Sequence, residues 1–91
     1  MTRVLGGYLY QGWNDEFDSD ISALQAAAAS EPSDLRQGVA RTIDEFLGKP
    51  ATEAELKEVL IGRVGCYYNP EAEGLTYAQW LKRVREILAP S

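Results

Sequence analysis

A chain of 91 residues with 45% hydrophobic side chains has material for one domain with one modest core. It carries fourteen acidic residues against nine basic ones, a net charge of −5, no histidine and one cysteine. This removes the usual general base and a common metal ligand, excludes an intramolecular disulfide framework, and sets the overall charge against phosphate backbones.

In chain order, Met1 to Tyr8 holds one cation, no long apolar run and no small-residue cleavage site, so no secretory signal is expected. Leu5, Tyr8 and Leu9 fall on one side of a short helix, which Gly6 and Gly7 weaken and Gly12 ends. Trp13 to Asp18 reads as an ordered acidic loop pinned by Trp13 and Phe17. Ser19 or Asp18 caps a second helix, with Asp20 in its acidic first turn and Ile21, Leu24 and Ala28 on its buried side. Ser30 to Ser33, with Pro32, is a joint. A third helix sets Leu35, Val39, Ile43, Phe46 and Leu47 at helical spacing and closes at Gly48-Lys49-Pro50.

Thr52 and Glu55 form a capping box, and the helix behind them buries Leu56, Val59, Leu60 and Val64. Gly62 and Gly65 leave its end open. Cys66 to Pro70 then leads into a polar turn, Glu71 to Gly74. Thr76 and Gln79 form a second capping box, followed by a stripe of Tyr77, Trp80, Leu81, Val84, Ile87 and Leu88, with Lys82, Arg83 and Arg85 largely outside it and Pro90 at the end. No segment alternates with period two for long enough to require a strand. The expected fold is all-α, a compact bundle of four main helices with a short additional N-terminal helix, in one domain over residues 1–91. No apolar run approaches the roughly 20 residues that cross a bilayer, and a cytoplasmic protein with no membrane contact is expected.

Charge is unevenly spread. Residues 1–60 hold eleven acids against five bases, and residues 61–91 three acids against four bases. The first part suits a basic partner. Asp15, Glu16, Asp18 and Asp20 lack the central glycine and distal glutamate of a calcium loop, so no metal is expected. Gly62-Arg63-Val64-Gly65 lacks the lysine and hydroxyl of a phosphate-binding loop, and no cofactor is expected. Cys66 has no histidine to activate it and reads as a packing thiol. The remaining carboxylates are explained as solvated or capping groups, so an enzyme is not expected. Trp80 shares its register with the core. Tyr10 and one of the pair Tyr67 and Tyr68 are surface candidates, since adjacent side chains seldom face the same way.

Two stretches then show a resemblance. Leu9-Tyr10-Gln11-Gly12-Trp13, followed by acids and a helix near Ile21, is similar to an opening of the form Y-F/L-x-Q-D-W. Gly65-Cys66-Tyr67-Tyr68-Asn69-Pro70, followed by Gly74-Leu75-Thr76-Tyr77-Ala78-Gln79-Trp80-Leu81, resembles a close of the form G-C-Y-Y-x-P … G-x-T-Y-x-x-W-L. Both belong to the small immunity proteins of bacterial contact-dependent growth inhibition systems. Gly12 stands where that family commonly has aspartate, which removes any contact carried by that acid.

The resemblance implies a cytoplasmic antitoxin that binds and neutralises the cognate C-terminal toxin domain of a delivered effector, often a nuclease. The residues expected to meet the toxin are Tyr10, Trp13, Asp15, Glu16, Asp18, Asp20, Glu31, Asp34, Tyr67 and Tyr68. The alternative is a nucleic-acid-associated accessory protein using Lys82, Arg83 and Arg85. A small carboxylate enzyme ranks last.

Overall fold

The computed structural model describes residues 2–49 and 52–90. A π-helical segment, Thr2–Gly6, opens the chain and is followed by one helical turn, α1 (Trp13–Glu16). The longer helices α2 (Asp20–Ser30) and α3 (Ser33–Gly48) come next. Helix α4 (Glu53–Glu58) runs directly into a second π-helical segment, Val59–Val64. A short 3-10 helix, Pro70–Glu73, precedes α5 (Tyr77–Leu88). The fold is all-α, and no strand occurs among the described residues.

Helix α5 is the axis. Its stripe buries Tyr77, Trp80, Leu81, Val84 and Leu88, and it packs against α2, α3 and α4. Helix α3 contributes Val39, Ala40 and Ile43, with Leu35, Phe46 and Leu47 half-buried at the edge. Leu56, Leu60 and Val64 come from α4 and its π-helical extension, and that extension is covered by the N-terminal segment carrying the buried Val4 and Leu5. Widening to π geometry lets Leu60 and Val64 stay inward beyond Leu56, so the apolar face is kept while the hydrogen-bond period changes.

The ends of these helices follow local chemistry. Ser19 Oγ accepts from Ser22 N–H at 3.1 Å, so Ser19 rather than Asp18 caps α2. Thr52 with Glu55, and Thr76 with Gln79, make the two reciprocal capping boxes at α4 and α5. Gly65 ends the π-helical segment at φ 79°, and Gly74 ends the 3-10 helix at φ 76°. Both lie in the left-handed region where side chains with a Cβ are penalised. The expected close of α3 holds at Gly48 and Lys49, while Pro50 lies outside the described residues.

Two expectations about local structure are corrected. The stretch expected as a loop after Gly12 is one helical turn over Trp13–Glu16, closed by Phe17 N–H donating to Trp13 O at 3.0 Å. On α2 the buried residues are Asp20, Ala23, Leu24 and Ala27, while Ile21 is 39% exposed and Ala28 only half-buried. The apolar pattern pointed to Ile21. The actual face is rotated by one residue, because Asp20 turns inward to partners on α5, and the alanines let the two helices approach closely.

Candidate functional site

The inward turn of Asp20 builds a polar centre inside the aromatic core. Asp20 is 1% exposed, and its Oδ2 accepts from Trp80 Nε1–H at 2.8 Å and from an Arg83 guanidinium N–H at 3.1 Å. The same Arg83 nitrogen donates to Glu73 Oε2 at 3.3 Å, and Tyr68 O–H donates to that oxygen at 2.6 Å. The Tyr68 ring lies 5.0 Å from Trp80, and Trp13 meets Tyr68 edge-on at 5.6 Å. Burial, then donation to Glu73, pushes the Tyr68 phenol up, and the same hydrogen bond holds the Glu73 carboxyl below its usual range. Residues from four parts of the chain are thereby locked together.

This centre decides where several anticipated surface residues stand. Tyr68 is 5% exposed while its neighbour Tyr67 is 50% exposed, so the pair splits between core and surface. Asp20 and Tyr68, both expected among the contact residues, lie in the interior, their polar atoms already taken by Trp80, Arg83 and Glu73. Trp13 is half-buried and anchors the acidic turn to Tyr68.

Asp15, Glu16 and Asp18 are exposed around that anchor. Tyr10 O–H donates to Glu16 Oε1, and this bond, ahead of burial and nearby carboxylate charge, raises the Tyr10 phenol. The Tyr10 ring occupies space that Gly12 leaves free, since a Cβ there would stand 3.1 Å from Tyr10 Cε2. Tyr67 joins the group through its N–H, which donates to Leu9 O at 2.8 Å. Tyr10, Trp13, Asp15, Glu16, Asp18 and Tyr67 therefore form one neighbourhood.

Glu31 and Asp34 do not belong to it. The eleven residues of α2 separate them from Asp18 by roughly 16 Å of helix. Glu31 is largely covered and lies 3.7 Å from Arg3, whereas Asp34 is exposed. The acids from Asp15 to Asp34 thus fall into two groups at opposite ends of α2.

The C-terminal cations are mostly engaged. Arg83 is held by Asp20 and Glu73, and Arg85 Nε donates to Asp44 Oδ1 at 2.7 Å. Lys82 stands exposed. Arg36, which composition did not single out, ties α3 to the end of α5 by donating to Leu88 O at 2.9 Å. Cys66 is buried, and burial pushes its thiol up to about 12. No group of three His, Cys, Asp or Glu side chains able to hold a metal ion occurs among the described residues. No helix among them is long and apolar enough to cross a membrane.

The model of the CdiI immunity protein family matches residues 1–88. The chain belongs to that family. No curated protein and no solved structure matches it. Within this CdiI-family chain, the signature residues have mainly architectural tasks: Gly65 and Gly74 make left-handed turns, Thr76 and Gln79 cap α5, and Tyr68 and Trp80 enclose the polar centre. Sequence reasoning did not single out Glu73 or assign Arg83 to that centre, because their partners lie far away along the chain or engage only after folding.

Proposed function

We propose that this CdiI-family protein neutralises the toxic C-terminal domain of a contact-dependent growth inhibition effector by binding it one-to-one in the cytoplasm, and that the toxin is a nuclease. The observation that carries this reading is the family match over residues 1–88, combined with an acidic, aromatic neighbourhood at Tyr10, Trp13, Asp15, Glu16, Asp18 and Tyr67. A nuclease presents a basic cleft to its substrate, and carboxylates placed over that cleft compete for the same electrostatic field. The rings of Tyr10 and Tyr67 supply apolar contact of the kind that slows dissociation. Asp34, exposed at the other end of α2, extends the negative field towards the rim of a larger contact, whereas Glu31 there is covered and paired with Arg3. In this reading the protein itself performs no catalysis.

The nucleic-acid alternative loses support, since Arg83 and Arg85 are already paired with carboxylates. The decisive experiment titrates the chain into the toxin domain encoded beside it while nuclease activity is followed. Activity should disappear near equimolar ratio. Undiminished activity in the presence of excess folded protein overturns the proposal.

A further inference from the structure

Gly65 and Gly74 are accounted for by their left-handed backbone, but Gly12 is not. It stands at φ −100° and ψ 18°, a conformation open to most residues. It is also the N-cap of α1, where it makes no side-chain bond and where asparagine, aspartate or serine would satisfy a free N–H. Neither the backbone nor the cap explains a residue without a side chain. The neighbouring ring does. A Cβ on Gly12 would stand 3.1 Å from Tyr10 Cε2, inside the roughly 3.5 Å at which carbon atoms pack without crowding, and 3.8 Å from Cδ2 and Cζ. At Gly7, Gly38, Gly48 and Gly62 a Cβ would meet no atom within 4 Å.

The surroundings of that ring are fixed. Tyr10 O accepts from Trp13 N–H at 2.9 Å and Gly12 O accepts from Asp15 N–H at 3.1 Å, so the backbone on both sides of Gly12 is held. Trp13 anchors the turn to the core, edge-on to Tyr68 at 5.6 Å. At the tip of the ring the Tyr10 hydroxyl donates to Glu16 Oε1, on the same turn. The side chain at position 12 therefore decides whether Tyr10 lies against the start of α1 and reaches Glu16, or swings away from it.

We infer that Gly12 is a specificity-determining residue, whose missing side chain seats the Tyr10 ring against α1 and presets Tyr10 and Glu16 as one unit for the toxin. The inference rests on the toxin-binding reading and adds to it the residue that shapes the contact surface. A ring already seated and bonded has less rotamer freedom left to lose on docking. Its proton is committed to Glu16, so the Tyr10 oxygen meets a partner as an acceptor and selects hydrogen-bond donors on the toxin. A side chain at position 12 frees the ring, returns its proton to use as a donor and changes which partners fit.

The test has one part without toxin and one with it. In the free protein, NMR should show NOEs from the Tyr10 ring protons to the Gly12 α-protons and to the Glu16 side chain, and their absence overturns the seat. In Gly12→Asn, which supplies a neutral N-cap, the Glu16 NOEs should disappear while the urea midpoint stays at or above that of the parent. By calorimetry with the adjacent toxin domain, Gly12→Asn should weaken binding about fivefold, and Gly12→Ala, to which the ring yields only slightly, about twofold. In a Tyr10→Ala background both losses should vanish, since Gly12 acts through the ring. Equal losses in the two backgrounds, or binding by Gly12→Asn like that of the parent, refute the inference while the toxin-binding reading stands. Gly12→Ala gives the same decision if the Asn variant does not fold. If the parent protein does not bind the toxin, the reading and the inference fall together, even with every NOE present.

Discussion

Asp20 shows how one residue connects the fold to the proposed surface. Its carboxylate is enclosed and accepts from both Trp80 and Arg83, so removing it strands an indole N–H and a partly covered guanidinium. Asp20→Ala should cost about 3 kcal/mol, the usual scale for breaking a buried charged contact. Asp20→Asn keeps an acceptor and should cost less, while Asp18→Asn, on the surface, should stay within about 0.5 kcal/mol. Urea unfolding followed by tryptophan fluorescence reads all three. Equal midpoints for Asp20→Ala and Asp18→Asn would remove the polar centre as a stabilising feature. Cys66 makes a second residue-scale prediction. Its thiol is raised from 9.0 to about 12 by burial, so the folded state holds a proton that the unfolded state releases first. The stability linked to Cys66 is fully present below pH 9 and is lost as pH rises through about 12. The native thiol should resist alkylation at pH 8 and react on unfolding, and Cys66→Val should flatten the alkaline loss. Rapid labelling of the native protein would contradict this.

At the scale of elements, short-range signals were legible and long-range ones were not. The capping boxes at Thr52 and Thr76 depend on residues three positions apart, and both formed as expected. The stripe of α5 was readable because its large residues keep one helical register. The face of α2 was misread by one residue, since the reason to bury Asp20 lies 60 and 63 positions away, at Trp80 and Arg83. The π-helical geometry at Val59–Val64 was also hidden, because a run of apolar residues does not reveal the period of its hydrogen bonds. The acidic turn was visible as charge, but its division from Glu31 and Asp34 required the length of α2. Glu53 is the sharpest such case: it looks like part of the first turn of α4, yet its carboxylate caps α5, accepting from Tyr77 and Ala78. A carboxylate on two free N–H groups at a helix start is favourable in both hydrogen bonding and dipole alignment. Glu53→Ala should therefore destabilise the protein by about 1–2 kcal/mol although the side chain is exposed. Thermal or urea unfolding checks this, and a loss no larger than that of Glu58→Ala would remove the interhelical cap.

For the whole molecule, the uneven charge bears on how a complex forms rather than how firmly it persists. Net charge is −5, with the excess acid in residues 1–60. The exposed carboxylates at Asp15, Glu16 and Asp18 share a stretch of chain with Tyr10, which bonds Glu16, and the Tyr67 backbone is tied to that stretch at Leu9. Carboxylates attract a basic surface from beyond contact distance, but salt screens that attraction over about 8 Å at physiological ionic strength. Buried rings act only after contact and are far less sensitive to salt. The two contributions therefore separate in kinetics. With the toxin domain, the association rate should fall about tenfold between low and moderate salt while the dissociation rate changes little. Neutralising Asp15 and Glu16 together, as Asn and Gln, should lower the association rate and reduce its salt dependence. Replacing Tyr67 with Ala should act chiefly on dissociation. Stopped-flow fluorescence distinguishes these outcomes. Asp34→Asn is the geometric control, because α2 holds Asp34 away from the acidic turn. If it slows association as much as the Asp15 and Glu16 pair, the toxin approaches the opposite end of α2, and the face centred on Trp13 is not where the encounter begins.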